Sequence, residues 1–140
     1  MILSLLHCME QETFQYRREI FEELGFENLH IVSEQEEPDP EFSTVDYPNP
    51  EEPAVFELAI ELARQKDADL IMAHDPDADR VGIAVKDDQD EWAFLNGNQV
   101  GILLTDYILN SLNQIPDNGV IIKTIVTTEM IKYRRKDQRV

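Results

Sequence analysis

Cysteine, long apolar runs and basic charge are all scarce in this chain. Its single cysteine, Cys8, rules out an internal disulfide and any CxxC zinc module. No apolar run reaches the roughly 18 residues that a membrane-crossing helix needs, so no membrane partner is expected. The opening Met1-Ile2-Leu3-Ser4-Leu5-Leu6 carries neither a basic region nor a small-residue cleavage site, and it does not read as a secretion signal. The expectation is a cytoplasmic protein. Twelve basic residues against 29 acidic ones give a net charge of −17, which argues against binding nucleic acid through its phosphates. The basic charge is concentrated late in the chain, where Lys132, Arg134, Arg135, Lys136 and Arg139 stand against a single acid between 130 and 140.

What is present suffices for a core. A chain of 140 residues with 42% hydrophobic content accommodates one domain, or one domain with part of another. Apolar periodicity predicts strands at 2–6, 29–32, 69–73, 80–85, 92–95 and 119–126, and helices at 11–24, 54–66 and 98–112. In the first helix Phe14, Ile20, Phe21 and Leu24 are placed on the inner side, and Gly25 stands where a glycine ends a helix. The passage from Ser33 to Pro50, with Pro38, Pro40, Pro48 and Pro50, is too long for a routine connector and reads as an ordered loop. Asn49-Pro50-Glu51-Glu52 has the composition of a helix start, whereas Pro53 would delete the first intrahelical bond and shift the start to itself. Alternating strands and helices define the expected class: α/β, a layered mixed β-sheet with flanking helices.

The chemistry concentrates in Asp69-Leu70-Ile71-Met72-Ala73-His74-Asp75-Pro76-Asp77-Ala78-Asp79-Arg80. An apolar strand ends, and Asp75, Asp77 and Asp79 follow at alternate positions, which share a face in extended backbone. Three carboxylates brought together repel one another unless a cation neutralises them. A hard divalent ion with oxygen ligands, Mg²⁺ in particular, suits such a set. Ligand sites of α/β sheets also gather beyond the carboxyl ends of strands. A calcium EF-hand fails on spacing: counted from Asp75, position six is Arg80 rather than Gly and position twelve is Lys86 rather than Glu. A solvated acidic turn and a haloacid-dehalogenase-type phosphatase with Asp75 as nucleophile stay open at this point. In the phosphatase reading, Asp79 falls where a hydroxyl residue is expected.

The segment Asp75-Pro76-Asp77-Ala78-Asp79-Arg80 resembles the magnesium loop of the α-D-phosphohexomutases, the phosphoglucomutase/phosphomannomutase family. The resemblance extends upstream through Glu34-Gln35, Pro38-Asp39-Pro40, Phe42-Ser43-Thr44-Val45 and Pro48-Asn49-Pro50-Glu51-Glu52. Downstream it takes in Asn96-Gly97-Asn98-Gln99, Gly101, and the run from Val120 to Glu129 that resembles the opening of the family's next domain. It covers roughly residues 2 to 129.

Such a resemblance implies an enzyme of four domains around a cleft. The first supplies a phosphoserine, the second the metal loop, the third sugar recognition and the fourth phosphate-binding groups. Residues 1–116 would be the second domain, and 117–140 the truncated start of the third, including its first strand and a divergent basic tail. The implied reaction is isomerisation of hexose 1-phosphate and 6-phosphate through a bisphosphate intermediate, with a sugar phosphate as substrate and Mg²⁺ as cofactor. Asp75, Asp77 and Asp79 map onto the metal ligands, and Arg80 onto the loop's catalytic arginine. His7 maps onto a site histidine, while Asn98 and Lys123 map onto substrate or interdomain contacts. Cys8 and Glu10 stand where the family has the glycines of a Gly-x-Gly turn. None of Ser4, Ser33, Ser43 and Ser111 lies in the family's Ser-His-Asn-Pro context, so this chain alone is expected to be inactive and to need the remaining domains. A phosphatase using Asp75 and a non-catalytic acidic binding module are the alternatives.

Overall fold

The computed structural model describes residues 2–5, 18–37, 39–77, 79–114 and 118–134, which divide between two compact units, 1–96 and 97–140. The first unit is organised by the period-two burial of two strands. In β3 (Leu70–His74), Ile71 and Ala73 are buried while Leu70, Met72 and His74 are only partly covered. In β4 (Val81–Lys86), Gly82 and Ala84 are buried in the same alternation. Antiparallel register sets Ile71 against Ala84 and Ala73 against Gly82, so the buried residues form one continuous face.

The sheet has five strands in the order β2-β1-β3-β4-β5. Strands β1 (Ile2–Leu5), β2 (His30–Ile31) and β3 are mutually parallel where they pair, while β4 and β5 (Trp92–Leu95) add antiparallel ribbons. The sheet is therefore mixed, as the sequence leads one to expect. From β1 the chain goes to β2 on one side and then crosses back to β3 on the other, so the switch of direction falls between β1 and β3. Leu5 pairs with His74 there, which places the carboxyl ends of both strands side by side.

Helix α2 (Glu57–Lys66) covers the face bearing Ile71, Ala73 and Ala84. Its entry is a 3-10 turn, Pro53–Phe56, so of the two possible starts the one at Pro53 is realised, with Pro in the first turn where no amide hydrogen is missed. Val55, Ala59 and Ala63 follow at intervals of four, and the two alanines let the helix axis approach the sheet closely. The helix ends at Asp67, whose left-handed backbone (φ 50°) allows the Ala68 amide to donate to the Ala63 carbonyl. On the other face, a helical run at 18–23 (α1) brings Phe21 into a second cluster with Leu29, Ile31 and Met72. Three layers result. Gly25 takes φ 83°, the left-handed turn that ends α1, and Phe26 then packs edge-to-face on Phe21. The inner side read from sequence is corrected at two positions: Ile20 and Leu24 are more than half exposed, because Phe21, one residue round the helix, takes the sheet-facing position. Phe14 lies outside the described residues.

The described residues of the 33–50 passage are packed and hydrogen-bonded, as an ordered loop requires. Residues Ser33–Gln35 make a 3-10 turn with Gln35 buried, its amide donating to Thr44 Oγ1 at 3.2 Å. Asp39 accepts hydrogen bonds from the Glu41 and Ser43 amides. Pro50 is fully buried, and its carbonyl lies so close to Gly82 that a β-carbon there would stand 1.9 Å from the oxygen.

In the second unit α3 (Gly97–Ser111) meets the short α4 (Ile131–Arg134), and among the described residues Val100 and Ile131 are its buried apolar ones. The expected strand at 119–126 is not formed. Ile122 is 90% and Ile125 97% exposed, and no described strand lies alongside to receive the segment's backbone hydrogen bonds. The basic tail beyond Arg134 lies outside the described residues.

The crowding at Gly82 makes a sharp prediction. Gly82→Ala is expected to lower stability by about 2–3 kcal/mol, since Pro50 backbone, not a flexible side-chain end, must move. Gly101→Ala, where nothing lies within 4 Å, is expected to raise it by up to about 1 kcal/mol through helix propensity. Urea denaturation of the two variants tests the pair; equal effects would contradict the packing described.

Candidate metal centre

The loop 75–80 connects β3 to β4 as a hairpin closed by the facing pair His74 and Val81. Its first residue does the closing. The Asp75 carboxylate is 2% exposed and accepts the Arg80 amide hydrogen at Oδ1 (3.0 Å) and the Arg80 Nε hydrogen at Oδ2 (2.6 Å). Burial alone would favour the neutral acid, yet these two hydrogen bonds and the guanidinium charge outweigh it and hold the Asp75 pKa below the ordinary aspartate value. Asp75 is thus a buried, ionised carboxylate with both oxygens engaged. His74 Nδ1 lies 3.3 Å from the Arg80 carbonyl oxygen and adds a further tie across the hairpin.

Asp77 and Asp79 are exposed on the same loop, and one carboxylate oxygen from each of the three aspartates lies within 4.8 Å of the others. The Asp79 pKa is raised, first by a hydrogen bond with Asp75 and then by the charges of Asp77 and Asp75. Arg80 Nε, 3.7 Å from Asp79 Oδ1, offsets only part of this, because Asp75 engages it more closely. The local field therefore favours an added positive charge. All three donors are hard oxygens, and a cation about 2.1 Å from each would need only a modest contraction, which the exposed side chains of Asp77 and Asp79 can supply. The donor set fits a divalent ion of the Mg²⁺ type.

Arg80 is held a second time. Its Nη1 donates to Asn49 Oδ1 at 3.1 Å, across 31 positions of sequence. The sequence offered Asn49 only as a helix cap; its side chain does accept the Glu51 amide hydrogen, and it accepts from Arg80 as well. No local pattern signals that contact, because it depends on Pro50 packing against Gly82. The other anticipated site residues fall elsewhere. His7 lies outside the described residues, as do Cys8 and Glu10. Asn98 Oδ1 accepts the Thr128 amide hydrogen at 2.8 Å within the second unit. Lys123 Nζ donates to the Thr127 carbonyl at 2.9 Å and pairs with Glu129 at 2.7 Å, while Lys132 pairs with the other Glu129 oxygen. The structure does not unite Asn98 or Lys123 with the aspartates within one unit.

An α/β/α layer that presents carboxylates from a strand end at the sheet's switch point belongs to a class of domains built to hold a ligand there. Comparison with known proteins narrows the class. The family model for phosphoglucomutase/phosphomannomutase, alpha/beta/alpha domain II, matches residues 1–89. The phosphoglucomutases of Staphylococcus aureus strains USA300 and MRSA252 are each 40% identical over 114 residues, which is 81% of this chain and 20% of theirs. No solved structure matches. The chain belongs to the phosphoglucomutase/phosphomannomutase family, with residues 1–89 matching its domain II, and spans about a fifth of the length of the curated relatives it matches. No helix among the described residues is long and apolar enough to cross a membrane.

Two measurements test this geometry. Asp75→Asn leaves a buried group unable to accept both Arg80 hydrogens as an anion, and is expected to cost about 2 kcal/mol in urea unfolding. Asp77→Asn, on the exposed rim, is expected to stay within about 0.5 kcal/mol of the parent; the reverse order would contradict the assignment of roles. In the second unit, the two lysines hold Glu129 at a pKa of about 2, below its ordinary value of 4.5. The stabilisation from these pairs is complete above pH 4.5 and is lost as pH falls through about 2. Titration followed by NMR should find the Glu129 carboxyl near 2, moving toward 4.5 in Lys123→Met.

Proposed function

We propose that this chain supplies the Mg²⁺-binding domain of a cytoplasmic phosphohexomutase, with Asp75, Asp77 and Asp79 as ligands and Arg80 as the residue that fixes them. In this proposal residues 1–116 constitute the second domain of such an enzyme and 117–140 open the third. The observation that carries the reading is the convergence of three carboxylate oxygens on a hairpin within the segment that matches the family's domain II.

The residues' roles follow from their chemistry. The two hydrogen bonds from Arg80 favour the ionised form of Asp75, so it contributes negative charge beneath the loop. Asp77 and Asp79 reach solvent, where a phosphoryl oxygen carried by another domain can approach. A bound magnesium ion would neutralise charge developing on the phosphoryl group during transfer between sugar hydroxyl and serine. Arg80, half exposed, keeps Nη groups near the loop for a phosphate oxygen. His7, Asn98 and Lys123 complete the proposed set as contacts to substrate or to neighbouring domains. The substrate is proposed to be a hexose phosphate, handled jointly with the serine-bearing, sugar-binding and phosphate-binding domains.

The phosphatase alternative has an observation against it. Residues 1–89 match the phosphohexomutase domain II, and Asp79 stands where such a phosphatase has a hydroxyl residue. Beryllium fluoride is therefore not expected to be trapped at Asp75.

The test is metal binding in the presence of a phosphate monoester. Mn²⁺, followed by water-proton relaxation, is expected to bind weakly to the chain alone and about tenfold more tightly when O-phosphoserine is added. The variant carrying Asp75→Asn, Asp77→Asn and Asp79→Asn is expected to lose both effects. Mn²⁺ binding that survives the triple substitution would overturn the proposal.

A further inference from the structure

We infer that Asn49 is a positioning residue of the metal loop, acting through Arg80 to keep its Nε on Asp75 in preference to Asp79. The inference rests on the reading of the aspartate loop as a metal site and adds a component from outside it. Arg80 has two acid partners within reach, Asp75 at 2.6 Å and Asp79 at 3.7 Å. Its side chain is half exposed, so the pair with Asp75 does not by itself prevent the guanidinium from swinging toward Asp79. Such a swing would spend the arginine's charge on a group needed as a ligand and would leave buried Asp75 with one hydrogen bond fewer.

Asn49 removes that freedom. Its Oδ1 accepts from Arg80 Nη1 at 3.1 Å while Arg80 Nε remains on Asp75, so the planar guanidinium is pinned at two of its nitrogens. The acceptor is itself tied down: the same oxygen takes the Glu51 amide hydrogen at 3.2 Å, and the next residue, Pro50, is buried against Gly82. An amide oxygen also accepts without adding a fourth negative charge to the loop. Groups that support a metal ligand from behind in this way set its orientation as firmly as the ligand's own rotamer does.

Two substitutions separate this role from a purely structural one. Asn49→Ser keeps an oxygen for the Glu51 amide, as serine does in such turns, but is too short to reach Arg80. Asn49→Asp keeps an oxygen at the original reach. In the full chain with ¹⁵N-labelled arginine, rotation about the Arg80 Cζ–Nε bond is expected to be slow in the parent and in Asn49→Asp, and fast in Asn49→Ser. Mn²⁺ affinity is expected to fall about tenfold in Asn49→Ser and to be retained in Asn49→Asp, with the thermal midpoint of Asn49→Ser showing that it remains folded. Unchanged Arg80 rotation in Asn49→Ser, or unchanged Mn²⁺ affinity despite faster rotation, overturns the inference. Absence of Mn²⁺ binding in the parent chain, by contrast, overturns the metal reading on which it rests, while the arginine signals still decide the tether.

Discussion

A carboxylate buried at the end of a strand must be compensated, and in this chain the compensation of Asp75 by Arg80 sets the shape of everything around it. The loop is short enough for one arginine to meet the acid twice, through its backbone amide and through Nε. That closure turns a run of three aspartates into a hairpin on which one carboxylate oxygen from each lies within 4.8 Å of the others. Left to mutual repulsion, exposed aspartates at alternate positions would spread. The pair beneath them fixes the backbone and leaves their charges crowded, an arrangement that favours a cation.

The pair in turn depends on close packing some distance away. Gly82 admits the Pro50 carbonyl, which sets Asn49 within reach of Arg80. The alanines of α2 and of the central strands let helix and sheet approach, burying Phe56 among them and seating Phe94 edge-to-face on it at 5.2 Å. Small residues here serve the site as much as the core. The switch of strand direction between β1 and β3 then leaves the loop at the sheet's natural ligand position.

Much of this was legible in the sequence, for identifiable reasons. Strands β3, β4 and β5 announce themselves because each is short, apolar and preceded by an acidic stretch, and the aspartate loop because its spacing is unusual after a buried strand. The ambiguity at the start of α2 was real, since Asn49 and Pro53 each obey a capping rule; Pro53 prevails because it has no amide hydrogen for the first bond of a helix begun at Asn49. Residues 119–126 misled because a run rich in β-branched residues describes strand propensity, while a strand also needs a partner to bond with. Ile20 and Leu24 misled because helical spacing selects a stripe but does not say which edge of it meets the sheet. The Asn49–Arg80 contact and the role of Gly82 were invisible for a different reason: both join segments about thirty residues apart and exist only once the fold has formed.

The most direct examination is anomalous scattering from crystals of the chain soaked in Mn²⁺ together with a phosphate monoester. A single strong peak is expected among the side chains of Asp75, Asp77 and Asp79, about 2.1–2.2 Å from an oxygen of each, with Arg80 still on Asp75. A loop that stays empty under those conditions, with Asp77 and Asp79 turned apart into solvent, would contradict the view that these acids are gathered to hold a metal.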